Sequence, residues 1–379
     1  MIENSDDDFQ IVIHETTPLP SEEIANDPNS VAERLLQKPT VIHMFTDGVS
    51  PSFDSTAMKE YLSQTFGPNF SVEFEGDIID KALKDDPAKE DEIVDRLVSA
   101  KPWAKVSSFW QFGGSLDNNQ KKELERQALK RDKNSPLQSF LIGQTIGEGP
   151  RGKLRLSNNE YYDIGALGSL YTDLTHTMFE PKEATKELYL IYTGRGIGGS
   201  SEDPSIPHAR AGFAYGNVAV ISTTGLVDAP AKPLEVLEAY QAREALGHLM
   251  PRGVERVKRF SQTMQEEKVP PHDAFYKVYE DKMLRDEDPR ITEASKGITL
   301  QMILNSAGEQ TRPVYQCTTS GYEVNPDVSC RMHDAHHQEE VITTQINRGE
   351  KPEFCDFHTK LFEKLQSYSP ENSQKVKPH

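Results

Sequence analysis

All three cysteines of this 379-residue chain lie in its last quarter. They are Cys317, Cys330 and Cys355, and the last of them begins a Cys-x-x-His pair with His358. Tetrahedral zinc takes four thiolate or imidazole ligands, and a Cys-x-x-His pair can supply two of them from one tight turn. The residues therefore predict one Cys3His zinc site, which would staple residues 310–366 into a folded unit. The alternative is three unrelated core cysteines, because cysteine is a small residue that is often buried.

Charge and length limit the class of protein. The chain has a formal net charge of -18 at pH 7 and 36% hydrophobic residues. The chain is long enough to bury a substantial core. Nucleic-acid binding requires clustered Lys and Arg, so this acidic chain is expected to have no nucleic-acid partner. No apolar run reaches about twenty residues and no signal peptide opens the chain, so we expect no membrane partner. An odd number of cysteines without a secretory signal predicts reduced thiols and a cytoplasmic location, with the nucleus left open.

The distribution of apolar residues divides the chain into one domain with two polar ends. Residues 1–38 are acidic and poor in large apolar side chains, which predicts a mobile leader, and residues 367–379 predict a mobile tail. Residues 39–366 form the expected domain. Within it, residues 101–186 and 251–310 are candidate insertions, because they contain polar runs or closely spaced prolines.

Apolar periodicity predicts alternating strands and helices in this domain. A strand, helix, strand, helix order is typical of an α/β fold, in which a sheet is covered by helices. A further helix at 118–133 is almost entirely polar, and we expect it to lie on the surface. The expected strands are 40–45, 70–74, 188–192 and 217–222, and the expected helices are 54–66, 91–100, 234–250 and 253–267.

A glycine-rich loop follows the third of these strands. Residues 194–199 match the G-x-G-x-x-G pattern of dinucleotide-binding loops. Such a loop must open a helix so that backbone amides face the phosphates, but Pro204 and Pro207 interrupt the residues that follow. We therefore interpret the loop as a connector.

Two further groups of residues could bind a metal ion. Glu244 and His248 are four residues apart, so on a helix they share one face, although such pairs are also common on solvated helix surfaces. His333, His336 and His337 form a histidine-rich run directly after Cys330. Neutral imidazole suits several transition metals, but the same run is compatible with an exposed polar turn.

The order of these elements resembles the archaemetzincins, a family of zinc metallopeptidases. In that family a buried strand precedes a His-Glu-x-x-His-x-x-Gly-x-x-His metal helix, and a cysteine cluster with a nearby methionine follows. The resemblance covers residues 40–100 and 186–362, and it implies a metzincin-like mixed sheet flanked by helices, with zinc as the cofactor. The matching segments are Val218–Ser222 for the strand, Glu244–His248 for the metal helix, and Cys330-Arg331-Met332 and Cys355–His358 for the cysteine cluster.

The chain differs from the family at the catalytic residues. The family's first histidine and its general-base glutamate are replaced by Glu244 and Ala245, and Val254 stands at the third histidine. Only His248 matches. A carboxylate can bind zinc, but alanine cannot accept a proton, so the standard peptidase mechanism is not supported.

Three hypotheses remain open from the sequence. In the first, His208, His272 or the histidine-rich run joins Glu244 and His248 in a rebuilt metal centre that hydrolyses an unknown substrate. In the second, the chain is a pseudopeptidase that binds a peptide, a protein or a small molecule without catalysis. In the third, the resemblance is accidental and the chain is a zinc-stapled interaction module.

Overall fold

A computed structural model describes most of the expected domain. The described residues are 27–101, 118–130, 161–180, 182–200, 208–231, 259, 262–263, 265–268, 277–285, 288–309, 314, 317 and 330–368. The predicted helix 234–250, the first part of the predicted leader and nearly all of the predicted tail lie outside them. The predicted helix 253–267 is described only in part.

The described strands form two sheets. The main sheet has five strands in the order β2-β1-β4-β8-β7, and a small sheet has the order β3-β5-β6. In the main sheet β2, β1, β4 and β8 are parallel, and β7 runs antiparallel to β8 at one edge. In chain order the strands are β1 (Thr40–Asp47), β2 (Phe70–Asp77), β3 (Tyr162–Asp163), β4 (Lys186–Thr193), β5 (Ile197–Gly199), β6 (His208–Arg210), β7 (Gly212–Tyr215) and β8 (Val218–Ser222).

Helices cover both faces of the main sheet. One apolar core holds residues of α1, α2, α8 and α10, and the other holds residues of α3, α4 and α6. This arrangement confirms the predicted α/β fold, a mixed sheet flanked by helices. In chain order the helices are α1 (Pro28–Leu35), α2 (Ser55–Phe66), α3 (Ile78–Asp85), α4 (Glu90–Ser99), α5 (Asn118–Lys130), α6 (Ile164–Met178), α7 (Thr223–Asp228), α8 (Ile291–Ser306), α9 (Gln338–Val341) and α10 (Asp356–Gln366).

Local sequence explains these elements well. All five residues of β8 are buried, as expected for a parallel strand with helices on both faces, and that is why it reads as a continuous apolar run. Asp54, Asp77 and Asp163 begin α2, α3 and α6, where each carboxylate accepts hydrogen bonds from backbone amides of the first turn.

The predicted boundary of the leader is wrong. Residues 28–35 form α1, and its side chains Val31 and Ala32 are fully buried in the core that also holds α10. The error arose because the apolar residues of this short helix are spaced along one face and are diluted by charged neighbours. The N-terminal boundary of the folded domain therefore lies before residue 28.

The candidate insertions also contribute to the core. Tyr171 of α6 and Leu300 of α8 are fully buried, and α8 packs on β7 and β8. The helix expected to lie on the surface, α5, buries Glu125 and Leu129. In the described part of the chain, no helix is both long and apolar enough to cross a membrane.

Candidate metal centre

The three cysteines and His358 meet at one place in the structure. Their ligand atoms all lie within 4.8 Å of one another. The Nδ1 atom of His358 is 3.1 Å from the Cys355 sulfur and 3.6 Å from the Cys330 sulfur. Residues that span more than forty positions of sequence thus form one compact group, which we call the Cys3His group.

One turn of helix supplies two members of the Cys3His group. Cys355 is the residue before the first turn of α10, and His358 lies within that turn. The backbone amide of Thr359 donates to the Cys355 carbonyl at 2.8 Å, and this hydrogen bond closes the turn. This is the local geometry that the Cys-x-x-His spacing predicts.

Backbone pairing brings the other two cysteines to that turn. The amide of Cys317 donates to the carbonyl of Met332 at 2.6 Å, and Cys317 forms an isolated parallel bridge with His333. The amide of Arg331 donates to the carbonyl of Glu353, just before Cys355. These contacts could not be read from spacing, because they join segments that are distant in sequence.

The ring of His358 is oriented with Nδ1 toward the sulfurs. Its Nε2 atom lies 2.9 Å from the carbonyl oxygen of Val314, and a carbonyl can only accept, so Nε2 carries the hydrogen. Nδ1 is then left with its lone pair inside the Cys3His group. Metal-binding histidines commonly donate their second N–H to such an acceptor, which selects the tautomer and holds the ring.

The three thiols interact too strongly to ionise independently. Hydrogen bonds from Cys317 and Cys330 hold the pKa of Cys355 far below its usual range. The pKa of Cys330 is raised, because this thiol hydrogen-bonds to Cys317 and Cys355. Cys355 is therefore the thiol of the group that ionises most readily. A second or third thiolate in such a small volume needs a cation, because like charges at this distance oppose ionisation. The donor set fits a single metal ion with four protein ligands.

The histidine-rich run does not converge on this group. His333 is buried, and its Nε2 lies 3.6 Å from a carboxylate oxygen of Glu340. His336 places Nδ1 3.0 Å from the carbonyl of Asp334, and His337 precedes α9. Among the described residues, none of these three histidines belongs to a group of metal-ligating atoms. His208 is an exposed residue of β6 that is likewise outside such a group.

A buried charge network occupies the carboxyl ends of β1 and β4. Arg195 donates to Asp47 at 2.7 Å, to Glu125 at 3.2 Å and to the hydroxyl oxygen of Tyr162 at 2.7 Å, and Lys101 also pairs with Glu125. Burial raises the pKa of Glu125, but Lys101 and Arg195 lower it more strongly, to about 2. We call these five residues the Arg195 network.

The position of the Arg195 network is one where α/β proteins often bind ligands. The chain passes from β1 to β2 on one side and later to β4 on the other, so the direction of strand addition reverses between β1 and β4. Here the network fills that crevice with paired side chains. The glycine-rich loop connects β4 to β5 and carries Arg195. The loop passes very close to the end of β1, because a Cβ atom at Gly194 would lie 2.0 Å from the Gly48 carbonyl oxygen.

A comparison with protein families identifies the broader class. A family model described as "Probable metallopeptidase family (DUF6775)" matches residues 157–365, more than half of the chain. The chain belongs to this family. Membership in the probable metallopeptidase family confirms the metallopeptidase-like class. No curated protein and no solved structure matches the chain.

The catalytic residues expected of a metallopeptidase family member are the least defined part of the site. Glu244, His248 and His272 lie outside the described residues. The last described residue before Glu244 is Ala231, which exchanges backbone hydrogen bonds with His336 and Gln338.

A different helix lies close before the first cysteine. In the structure α8 ends at Ser306, eleven residues before Cys317. The sequence of α8 contains no histidine and no cysteine. Twelve of its sixteen residues are buried, so it is a core helix that supports the Cys3His group.

Close packing of α8 on the cysteine-bearing segment gives a prediction at Gly297. A Cβ atom there would lie 2.2 Å from the Arg331 carbonyl oxygen and 2.5 Å from the Gln345 side chain. Alanine favours helix by about 1 kcal/mol over glycine, but overpacking costs about 1–3 kcal/mol. We expect Gly297→Ala to lower the urea midpoint of unfolding. A variant as stable as the parent protein would contradict this packing.

The structure also reveals a second group of potential ligands that the sequence did not suggest. The ligand atoms of His43, Glu73 and Glu75 lie within 4.8 Å of one another. His43 is part of β1, and the two glutamates are part of β2. No sequence signal was available, because a single histidine in an apolar strand and two glutamates thirty residues later form no recognisable spacing pattern.

Proposed function

We propose that the protein is a zinc-binding, archaemetzincin-like member of the metallopeptidase family that acts without catalysis, as a module that binds a peptide or protein. The observation that carries this proposal is the Cys3His group itself. Its four protein donors complete a tetrahedral shell, whereas a catalytic zinc ion needs an open position for water or substrate. Sulfur-rich tetrahedral ligand sets favour zinc, so this ion would be structural.

The surroundings of Cys330 support the archaemetzincin-like assignment. Met332 is fully buried in the same apolar core as Cys330. Phe362 of α10 belongs to this core as well, so the metal group and the helix pack as one unit. A buried methionine two residues after a metal-binding cysteine is the arrangement that the resemblance implies.

The absence of the usual catalytic residues supports a non-catalytic role. Alanine at position 245 cannot activate water, and α8, the core helix before Cys317, carries no histidine. The net charge of -18 favours a basic or neutral protein segment as the ligand over a nucleic acid.

Family membership favours a second candidate function, a metal-dependent hydrolase with a rebuilt centre. The matched region 157–365 includes Glu244 and His248, and the chain leaves Ala231 beside His336 and His337. Both Glu244 and His248 would bind the catalytic metal in this case. The substrate would be a peptide or another molecule with a hydrolysable bond.

Metal content and hydrolysis together distinguish the two candidates. For the untagged protein we expect one zinc ion per chain by plasma mass spectrometry and no metal-dependent cleavage of a fluorogenic peptide library. We expect Glu244→Ala and His248→Ala to leave both values unchanged. A zinc ion lost in both variants, together with cleavage that disappears in them, would overturn the non-catalytic proposal and establish the rebuilt centre.

A further inference from the structure

His43 lies in the middle of three neighbouring strands with acidic residues on either side. In the sheet register His43 is opposite Glu73 of β2 and opposite Tyr189 of β4. Glu187 precedes Tyr189 by two residues in β4, so it shares their face. This face is the one covered by α3 and α6, opposite the face that holds the Cys3His group.

A β-bulge places the third carboxylate. Met44 pairs with Phe74 and Phe45 pairs with Gly76, so Glu75 is the extra residue between two ladder positions. Gly76 has a φ angle of 87°, which a glycine adopts without strain. Bulges re-aim side chains and are common next to functional sites. Here a carboxylate oxygen of the bulged residue Glu75 lies 2.9 Å from Nδ1 of His43.

Glu187 holds the other nitrogen of the ring. The Nε2 atom of His43 lies 2.7 Å from a carboxylate oxygen of Glu187, and Thr185 donates to that carboxylate at 2.6 Å. The imidazole also packs against Phe179 and Tyr189, at centroid distances of 4.2 and 5.5 Å. With Nε2–H donated to Glu187, Nδ1 faces Glu75 and Glu73, and a metal ion bound there would take the place of the hydrogen between Nδ1 and Glu75. This is the carboxylate–histidine–metal arrangement of many metalloproteins.

Charge and access are also suitable for a cation. Three carboxylates surround His43, and the cations that face them are Lys81, 2.5 Å from Glu75, and Lys182, 3.9 Å from Glu187. Glu73 is exposed, which opens a path from solvent to the group while His43 remains only 3% exposed.

We propose that His43, Glu73 and Glu75 bind a divalent first-row transition metal, with Glu187 orienting the imidazole. One nitrogen and two carboxylate ligands suit Mn²⁺ or Fe²⁺ and leave open positions for water. The alternative is a purely structural ion-pair cluster, in which a doubly protonated His43 bridges Glu75 and Glu187. This site is independent of the proposed function, because its three ligands lie outside the matched region 157–365 and on the other face of the sheet.

Manganese uptake by the zinc-loaded full-length protein tests this site. Electron paramagnetic resonance reports free Mn²⁺ directly, and Mn²⁺ prefers oxygen and nitrogen donors to the thiolates of the Cys3His group. We expect one Mn²⁺ to bind per chain. We expect His43→Gln to abolish binding, and Glu73→Gln and Glu187→Gln to weaken it by about 10–100-fold.

Glu60→Gln provides the matched control, because Glu60 is an exposed carboxylate of α2 away from this group. It should bind Mn²⁺ like the parent protein. Glu73 is exposed, so Glu73→Gln tests binding even if His43→Gln fails to fold, and circular dichroism checks both. Absence of Mn²⁺ uptake by the parent protein, or equal affinities of Glu73→Gln and Glu60→Gln, would overturn the metal site and favour the ion-pair cluster. Neither result would alter the zinc count of the Cys3His group.

Discussion

Cys355→Ser is expected to abolish the proposed zinc binding and to unfold the segment from Cys330 to the end of α10. Cys355 contributes a sulfur and begins the helix that carries His358, so its loss removes one ligand and loosens the turn that presents another. The binding energy of a structural zinc ion is folding energy, with apparent values of about 10–16 kcal/mol in small zinc domains. The expected loss exceeds that of any ordinary core substitution. The measurements are zinc per chain and hydrogen exchange across residues 330–368.

The effect should spread from the metal group in a defined order. Leu361 and Phe362 of α10 pack in the same core as Val31 of α1, so we expect α10 to lose protection first and α1 next. Strand β1 should remain protected, because its ladders to β2 and β4 do not involve the metal group.

A control is available at the end of the same helix. The hydroxyl group of Ser367 donates only to the nearby carbonyl of Lys364 at the exposed end of α10, so Ser367→Ala should keep the zinc ion. Chelation of zinc from the parent protein should reproduce the exchange pattern of Cys355→Ser. Full zinc content in Cys355→Ser, or unchanged protection of α10 after chelation, would contradict a structural zinc site.

Arg195→Met is expected to destabilise the protein by about 3–5 kcal/mol, because it removes the buried cation that Asp47 and Glu125 share. Arg195 is 3% exposed and bonds to both Asp47 and Glu125. After substitution Asp47 retains its hydrogen bond from the Tyr171 hydroxyl group at 2.5 Å, and this donor carries no positive charge. The free energy of unfolding in urea at neutral pH measures the loss.

Arg126→Met is the matched control on α5. Arg126 pairs with the exposed residue Asp91 at 2.8 Å, and an exposed pair contributes about 0–1 kcal/mol. The same chemical change is thus made at a buried and at an exposed ion pair. Equal losses in the two variants would show that the Arg195 network does not hold the carboxyl ends of β1 and β4 together.

The strands were predictable because their signal is local. Buried parallel strands read as short apolar runs, and 40–45 and 217–222 match β1 and β8 to within a few residues. The Cys-x-x-His turn was predictable for the same reason, since Cys355 and His358 need only one helical turn to meet. In contrast, α1 was missed because its apolar face is short and lies among charged residues.

Contacts between segments that are distant along the chain could not be predicted from the sequence. His43 hydrogen-bonds to Glu75 and Glu187, which lie 32 and 144 residues away along the chain. Only strand pairing brings these three residues together. Likewise, the polar helix α5 appeared to be a surface element, since nothing in its sequence shows that Glu125 will pair with Arg195 from another loop.

The sequence by itself determined the α/β class, the positions of the main strands, the four candidate ligands Cys317, Cys330, Cys355 and His358, and an alanine at position 245, where the resemblance would place a peptidase base. These depend on residue type and short-range spacing. Only the tertiary structure decided that the four ligands converge, that the histidine-rich run does not join them, and that a second ligand group surrounds His43. Convergence depends on strand order and helix packing, which bring together atoms whose separation along the chain carries no information about distance.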